Sequence, residues 1–362
     1  MSQVYFFSYK KTSTPLAGIE RLMNISGSIE KITANDLVAL KLHMGELGNV
    51  RYIRPVFVHK VVELVKRRGG KPFLTDTVVN YPSERDTKEK YIRTAASNGF
   101  SLETIDAPVV ITDDNDELVS VPIETPIDGC KLEKVEVPAK VLNSNCLVIL
   151  SHFKGHDLSG FGGAIKNIAM GCVSTASKRA QHLVNMPEYH NERGCDGCGI
   201  CAELCPTHAI ELAEGIPLRD DDKCSSCGTC YFVCPSHCWD WPAGSKEELQ
   251  VYLAHTTHAI ITNYGGSVVY INFIQDVVPH CDCAAPSGIP VVQDVGIVLS
   301  SDPVAIDKAS LDLVDTSPII PGSTQAIPPD ILGKIHNTNS MVQLETGQRL
   351  GLGSMKYELI PL

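Results

Sequence analysis

The chain has 362 residues, of which 43% are hydrophobic and 20% are charged, and its formal net charge is −11 at pH 7. This length suggests two or three domains with enough apolar material for a large core. The acidic balance argues against binding to nucleic acid or to an anionic membrane surface, and leaves a basic electron-transfer partner open. We find no apolar run long enough for a membrane-spanning helix and no secretion signal, so we expect a cytoplasmic protein.

The first third of the chain alternates predicted strands and helices. A strand is expected at 4–9, a helix from Pro15, and a buried strand at 37–43. Four valines at helical spacing predict a second helix, which begins at Pro55 and stops at Gly69-Gly70, before a short strand at 73–75. The succession of strand, helix and strand predicts a parallel sheet. A further helix is expected at 83–98, with Ser83 as its N-cap, followed by a strand at 109–111.

The same alternation continues on both sides of a cysteine-rich segment. Before it lies an apolar strand, 146–151; after it come a helix at 246–257, strands at 268–273 and 295–299, and a helix from Asp302. We therefore predict an α/β fold with a mostly parallel sheet, in a discontinuous domain that consists of 1–187 and 246–362. Residues 188–245 would form a small inserted ferredoxin-like α+β domain.

Two cysteine runs define this insert. They read C-D-G-C-G-I-C-A-E-L-C-P and C-S-S-C-G-T-C-Y-F-V-C-P, and each is the bacterial iron–sulfur pattern C-x2-C-x2-C-x3-C-P. The fourth cysteine of each run binds the other cluster in two-cluster ferredoxins. We therefore predict two 4Fe-4S clusters, the first held by Cys195, Cys198, Cys201 and Cys234, and the second by Cys224, Cys227, Cys230 and Cys205.

Zinc and disulfides are the competing interpretations of these cysteines. Zinc sites do not need a third cysteine or the C-P step, and disulfides need an oxidising compartment. Two complete runs favour clusters. We also expect Trp239 and Trp241 to cover the second cluster.

A glycine-rich segment at 152–172 leaves the carboxyl end of a predicted strand, which is where open parallel sheets bind ligands. Its glycines predict a backbone that approaches an anion at the start of the next helix, and we assign them to cofactor binding: Gly160, Gly162 and Gly163. The competing interpretation is close packing of a glycine-rich loop.

Lysine and histidine side chains around this segment are the candidate catalytic groups. Lys166 lies on the helix after the glycines, with His156 before it and His182 after it. A cation between two imidazoles could grip a carboxylate or phosphate, exchange protons or serve a metal. The competing interpretation is that the lysine is exposed and the histidines only cap strands.

Two other places could contribute to the same site. Lys41 and His43 end a predicted strand, and Arg54 precedes the next helix, so a parallel sheet would place them at its ligand-binding edge. We assign Lys41 to cofactor binding and His43 and Arg54 to catalysis. The motif His280-Cys281-Asp282-Cys283 could coordinate a metal, form a redox-active thiol pair or shield a cluster, although two-residue spacing disfavours a disulfide.

Several motifs together resemble the domain of unknown function 362 family, in members that carry a two-cluster ferredoxin insert. They include V-A-L-K-L-H-M-G-E-L-G-N, Y-I-R-P, G-H-D-L-S-G-F-G-G-A-I-K-N-I-A-M-G-C, H-C-D-C and D-V-G-I-V-L-S-S-D-P-V-A-I-D-K-A. The resemblance covers nearly the whole chain. It implies an iron–sulfur protein of unsettled activity.

The stretch G-F-G-G-A-I-K-N-I-A-M-G is also similar to the lactate racemase superfamily, whose members have an α/β N-terminal domain and a nickel-pincer cofactor. That similarity implies a cofactor-bearing lysine at Lys166, flanked by functional histidines at His156 and His182, and a substrate-gripping Arg54-Pro55. The racemases lack the cysteine insert. This chain also departs from their pattern at Asn167, which follows the lysine, and in the C-D-C motif. We therefore carry over the location of an active site, and neither nickel nor racemisation.

These observations predict an iron–sulfur oxidoreductase, in which the two clusters exchange electrons with a site for a small anionic molecule in the α/β domain. Two alternatives stay open. One is a non-catalytic electron carrier that docks onto a partner enzyme, and the other is a racemase or lyase with structural clusters. An additional metal or an organic cofactor such as flavin is undecided, because the chain has no complete dinucleotide-binding fingerprint.

Overall fold

The computed structural model describes all 362 residues. The strands are β1 Ser2–Ser8, β2 Leu37–Lys41, β3 Lys71–Thr77, β4 Val109–Thr112, β5 Leu118–Pro122, β6 Lys134–Pro138, β7 Cys146–His152, β8 Lys154–His156, β9 Gly160–Gly162, β10 Glu188–Tyr189, β11 Ile210–Ala213, β12 Ile216–Arg219, β13 Trp239–Asp240, β14 Val268–Ile274, β15 Gly296–Ser300 and β16 Tyr357–Pro361.

Helices connect and cover these strands. They are α1 Pro15–Ile25, α2 Pro55–Arg67, α3 Lys88–Ser97, α4 Leu102–Ile105, α5 Ala139–Leu142, α6 Ala164–Gly171, α7 Thr175–His182, α8 Ile200–Glu203, α9 Thr229–Val233, α10 Ser245–Thr262, α11 Pro303–Asp315, α12 Ile331–Ile335 and α13 Val342–Arg349. None of them is both long enough and apolar enough to cross a membrane.

An eight-stranded sheet organises the molecule, in the order β16-β1-β15-β14-β7-β2-β3-β4. Five of its seven strand pairs are parallel, and only β15 runs against the other strands. The predicted α/β class with a mostly parallel sheet is therefore confirmed. Because β2, β3, β7 and β14 share one direction, their carboxyl ends meet at one edge.

Both faces of this sheet are buried. In β2, Ala39 points into one hydrophobic cluster with α6, α10 and α11, while Val38 and Leu40 point into a second cluster with α1 and α2. Successive side chains of a strand face opposite ways, so a sheet covered on both sides reads as a continuous apolar run. This is why the predicted strands are so uniformly hydrophobic.

The cysteine-rich segment forms small elements of its own. β10 pairs with β13 and β11 with β12, both antiparallel, and α8 and α9 each begin one residue before the third cysteine of a C-x2-C-x2-C run. β7 before this segment and β14 after it are adjacent in the large sheet. Arg179 on α7 ties the segment to the rest of the protein, since its guanidinium donates to the carbonyl oxygens of Cys224 (2.7 Å) and Asp222 (3.0 Å).

Two details differ from the sequence prediction. The helix expected from Ser83 begins at Lys88, with Thr87 as its N-cap, because Ser83 and Arg85 are both bound to the side chain of Glu46. The chain also continues past the helix at 303–315 with α12, α13 and β16. β16 pairs in parallel with β1, which lies more than 300 residues away in sequence.

Candidate functional site: a cationic cavity beside the cysteine segment

A cavity of about 860 Å³ opens at the carboxyl edge of the sheet. Its walls include the ends of β2, β3 and β7, the start of α6, the turn around Asp282, and side chains of the cysteine-rich segment. The cavity is large enough for a small-molecule ligand. Its position is the one at which parallel sheets usually bind ligands.

Lys41 and Asp76 form a buried ion pair in this wall. Lys41 Nζ lies 3.2 Å from Asp76 Oδ1 and also donates to Asn167 Oδ1 at 2.6 Å. Gly171 makes room for the pair, because a Cβ there would lie 2.0 Å from Lys41 Cε. The charge of Lys41 is therefore already balanced inside the protein.

Three other cavity lysines have no carboxylate partner within 4.0 Å. Lys154 and Lys178 are buried and Lys166 is partly buried, and none of them forms a salt bridge. Lys178 Nζ donates to Thr77 Oγ1 at 2.6 Å and to the carbonyl of Val78. Three amines without a carboxylate partner therefore face this cavity, in a protein whose net charge is −11.

Burial and mutual repulsion weaken the basicity of these amines. Burial, with a further contribution from Lys154, lowers the pKa of Lys166 to about 7. Burial also lowers the pKa of Lys178 to about 7 and lowers that of Lys154. An anion in the cavity would favour the charged amines, and a neutral Lys166 amine could act as a base or a nucleophile.

The three predicted histidines line the same cavity. Burial lowers the pKa of His43 and His156 well below its ordinary value, with help from nearby cations, and lowers that of His182 to about 4. All three rings are therefore neutral near pH 7. His43 Nδ1 accepts from the amide of Gly45 (3.0 Å), so its hydrogen is on Nε2, which has no partner within the protein.

The end of the glycine-rich loop, at the start of α6, is in contact with an internal carboxylate. Asp307 on α11 binds the start of α6 with its carboxylate, which accepts from the amides of Ala164 (2.7 Å) and Ile165 (3.0 Å). A Cβ on Gly163 would lie 2.3 Å from Asp307 Oδ1. An internal carboxylate thus occupies the amides of Ala164 and Ile165 at this helix start, while Gly162 and Gly163 line the cavity.

Of the remaining predicted residues, Gly162 lies in the cavity wall, whereas Gly160 and Arg54 lie outside it. Gly160 is not in the cavity wall, and it allows close contact with Ser340, whose Oγ would be 1.9 Å from an added Cβ. Gly162 lines the cavity, beside Lys154 Nζ. Arg54 lies outside the cavity, half exposed and paired with Asp276 at 3.3 Å, because the loop after β14 supplies a carboxylate that the sequence pattern does not reveal.

The C-D-C motif forms part of the cavity wall. Its two cysteines are joined as a disulfide, with a Cα–Cα distance of 5.3 Å. The two-residue spacing was expected to disfavour this bond, and the turn accommodates it. Asp282 between them is buried, and its Oδ1 lies 2.7 Å from His152 Nδ1. His152 Nε2 lies 2.8 Å from the carbonyl oxygen of Gln275, so both ring nitrogens face oxygen atoms.

The eight cysteines of the two runs line two smaller cavities, four to each, and the ninth cysteine of the insert, Cys238, also lines the first. The first is lined by Cys195, Cys198, Cys201 and Cys234, and the second by Cys205, Cys224, Cys227 and Cys230. Each set takes three cysteines from one run and the fourth from the other. This is the donor set that a cubane cluster needs.

Backbone amides also point at these sulfurs. Ala209 donates to Cys205 Sγ (3.3 Å) and Cys238 donates to Cys234 Sγ (3.3 Å), two equivalent positions in the two halves. Such N–H···S bonds stabilise thiolate charge. Nowhere do three or more His, Cys, Asp or Glu side chains converge on a point that could hold a metal ion. In a cubane, each thiolate binds a different iron atom, so its ligands surround a cavity.

The aromatic residues are distributed differently from the prediction. Trp239 adjoins the first set of cysteines and not the second. Trp241 packs against Tyr231, with ring centroids 4.7 Å apart, and lines the large cavity. Cys227 and Thr229 belong to the walls of both the second cysteine cavity and the large cavity. One layer of side chains therefore separates these two cavities.

Sequence reasoning missed several residues of the site. Asp76 lies near the carboxyl end of β3, beside Lys41. Its position at the ligand-binding edge of a parallel sheet could have been predicted in the same way as that of Lys41. Lys154 stands in the motif H-F-K-G-H, two residues before a predicted residue. Lys178 and Arg85 carry no local signal, because they reach the cavity from helices and loops that only the tertiary fold brings together.

The fold and the site define an α/β protein with a cationic cavity at the carboxyl edge of its sheet and a cysteine-rich segment alongside. Residues 38–312 match the family described as Domain of unknown function (DUF362). The chain belongs to this family, as its motifs suggested. No curated protein matches the sequence significantly.

Two solved structures show a remote likeness. The lactate racemase apoprotein from Thermoanaerobacterium thermosaccharolyticum is 12% identical, with a TM-score of 0.37 over 76% of this chain and 51% of that one. A structural-genomics protein from Thermotoga maritima is 10% identical, with a TM-score of 0.39 over 72% of this chain and 50% of that one. The chain thus spans about half the length of each. Both scores are below 0.5, so neither likeness bears on activity.

Proposed function

We propose that this protein is an iron–sulfur oxidoreductase that binds two 4Fe-4S clusters and a small anionic molecule in the adjoining cavity. The observation that carries this proposal is the shared wall: Cys227 lines both the cavity of the second cysteine set and the cavity that contains Lys166. A redox centre placed so close to a ligand site suggests that its electrons are used there.

The residues of the insert would hold the clusters as two crossed sets of four. Cys234 would complete the first set, and Cys205 would complete the second. Such clusters supply one-electron transfer, at a potential that depends on hydrogen bonds to sulfur and on exposure. The amide donors to Cys205 and Cys234 and the burial of Trp239 are the features of this chain that would influence that potential.

The residues of the large cavity would bind and orient the anion. Lys154 and Lys166 have no internal carboxylate partner, so a carboxylate or phosphate would compensate their charge. His156 and His182 are neutral near pH 7 and could accept a proton. Lys41 is held by Asp76 and fixes the floor of the site.

The electron-carrier alternative shares the clusters but needs no ligand in the cavity. The unpaired lysines favour the enzyme, because a docking domain gains nothing from burying uncompensated charge. An acidic protein could still receive electrons from a basic partner.

Metal and labile-sulfide analysis of anaerobically purified protein tests the cluster assignment. About eight iron atoms and eight sulfides per chain are expected for two cubanes. Iron near zero with stoichiometric zinc would overturn the proposal. For the cavity, replacing Lys166 and His156 should abolish cluster-dependent turnover of the substrate while leaving the iron content unchanged. Unchanged turnover in both variants would contradict the assignment of the active site to this cavity, and reduction by a partner protein without any turnover would argue for the electron carrier.

A further inference from the structure

The C-D-C turn places two sulfurs in the wall of the large cavity. Cys281 and Cys283 both line it, and their Cα atoms are 5.3 Å apart, within the range of about 4.4–6.8 Å over which a disulfide can form. We propose that Cys281 and Cys283 are a reversible dithiol–disulfide pair that exchanges two electrons with a small thiol carrying an anionic group. This goes beyond the proposed function and does not require the clusters.

The fold holds the turn in place independently of the bond between the sulfurs. The amide of Glu46 donates to the carbonyl of Asp282 (3.0 Å), and Asn49 Nδ2 donates to the carbonyl of Ala284 (2.7 Å). On one side of the turn, the amide of Gly155 donates to the carbonyl of Val278 (2.8 Å). These contacts would keep the two thiols adjacent after reduction, so that the bond can form again.

The two cysteines differ in solvent exposure, and this difference determines which sulfur an external thiol attacks. Cys281 is 5% exposed, whereas Cys283 is only partly buried. The amide of Cys283 points at Cys281 Sγ (3.4 Å) and would stabilise a thiolate on it. Cys283 is therefore the sulfur that an incoming thiol attacks, and Cys281 is the leaving group.

Neighbouring charges determine which thiol fits. The carboxylate of Asp282, which would repel a thiolate, is held by His152, whose Nδ1 lies 2.7 Å from Oδ1. Lys154 and Lys166 lie in the same wall, and burial lowers the pKa of both amines, an effect that the nearby carboxylate of Asp282 partly offsets. Their positive charges would hold the anionic group of the incoming thiol.

The reaction balances as ordinary thiol–disulfide exchange. A thiolate attacks Cys283 Sγ, the bond to Cys281 breaks, and its electron pair leaves on Cys281 as a thiolate, which takes up a proton. A second thiolate then attacks the mixed disulfide on the external sulfur and releases Cys283. One protein disulfide and two external thiols become one protein dithiol and one external disulfide.

The test uses the anaerobic holoprotein, equilibrated in buffers of 3-mercaptopropionate and its disulfide at graded ratios. Each sample is quenched with acid and alkylated, and the peptide that contains both cysteines is measured by mass spectrometry. We expect this peptide to pass from disulfide to dithiol as the ratio changes, with unchanged iron content. A peptide that is fully alkylated at every ratio, or that is reduced only on unfolding, would overturn the proposal.

The relative rates of two reducing thiols test the role of the lysines, and trapping of a mixed disulfide tests which cysteine is attacked. Per thiolate, 3-mercaptopropionate should reduce the pair about tenfold faster than neutral 2-mercaptoethanol, an effect of about 1.4 kcal/mol. The double variant Lys154→Met, Lys166→Met should lose this preference, while Lys131→Met, outside the cavity, should keep it. Mixed with the disulfide of 3-mercaptopropionate, Cys281→Ser should form a mixed disulfide at Cys283, with release of one 3-mercaptopropionate thiolate, faster than Cys283→Ser forms one at Cys281. Equal preference for the two thiols in the unmodified protein, or equal capture, would contradict the assignment. Because none of these readouts depends on cluster turnover, failure here is distinguishable from failure of the iron–sulfur assignment.

Discussion

Lys41 and Asp76 are paired across neighbouring strands, with 3.2 Å between Nζ and Oδ1, and their side chains are 1% and 5% exposed. Two charges removed from water in this way stabilise little as a pair, but removal of one leaves the other buried and uncompensated. The pair is therefore a sensitive point of the cavity floor, where the ends of β2 and β3 meet α6.

Replacing Lys41 by methionine should destabilise the protein by about 3–5 kcal/mol, because Asp76 loses its counter-charge in a buried position. Urea unfolding of the anaerobic protein, followed by circular dichroism, measures this loss. Lys66→Met is the matched control, since Lys66 pairs with Asp106 on the surface, where such pairs contribute under about 1 kcal/mol. Similar losses in the two variants would contradict the role given to the buried pair.

Much of the fold follows from local patterns in the sequence. The stripe of valines in α2 and the proline that begins it predict that helix, and the apolar runs at 37–43 and 146–151 predict strands covered on both faces. Because parallel sheets bind ligands at the carboxyl ends of their strands, the pattern then places Lys41, Lys166 and His156 in one site.

What the sequence does not reveal depends on distant partners. Arg54 precedes a predicted helix at the same expected edge of the sheet as Lys41, but Asp276 binds it outside the cavity. The glycine loop looks ready for an anion, yet Asp307, more than 140 residues further on, already supplies one. Such pairings arise only from tertiary contacts, which local spacing does not encode.

Replacing Gly163 by alanine should destabilise the protein by about 1–3 kcal/mol. An added Cβ would be 2.3 Å from Asp307 Oδ1, so the carboxylate would have to withdraw from the buried amides of Ala164 and Ile165. Urea unfolding measures the loss. In an Asp307→Ala background the same substitution should cost much less. An equal cost in both backgrounds would show that the clash with Asp307 is not the cause.

Lys166 should react as an amine with a pKa of about 7. Its rate of acetylation, followed by mass spectrometry, should rise to about pH 7 and then level off, because only the neutral amine reacts. Lys88 is the control, since its hydrogen bond to Asp116 raises its pKa, and its rate should still be rising at about pH 9. A midpoint for Lys166 near its ordinary value of 10.5 would contradict the effect of burial.

The same pKa predicts how stability depends on pH. Between about pH 7 and pH 10.5 the unfolded chain keeps a proton on Lys166 that the folded chain has lost, so this group makes the protein more stable as pH rises. Lys166→Met should flatten this part of the pH profile of the unfolding free energy. An unchanged slope in the variant would contradict the prediction.

The crossed cysteine sets predict which substitutions have the same effect. Cys205 belongs to the first run in sequence but lines the cavity of the second set. Cys205→Ser and Cys224→Ser should therefore disturb the same cluster, and each should reduce iron and sulfide by about half. The cluster that remains should give the same electron paramagnetic resonance spectrum in both variants, and a different one in Cys195→Ser. Cys130→Ser, outside the insert, should keep its full iron content. If the spectrum of Cys205→Ser matches that of Cys195→Ser, each run binds its own cluster and the crossing is wrong.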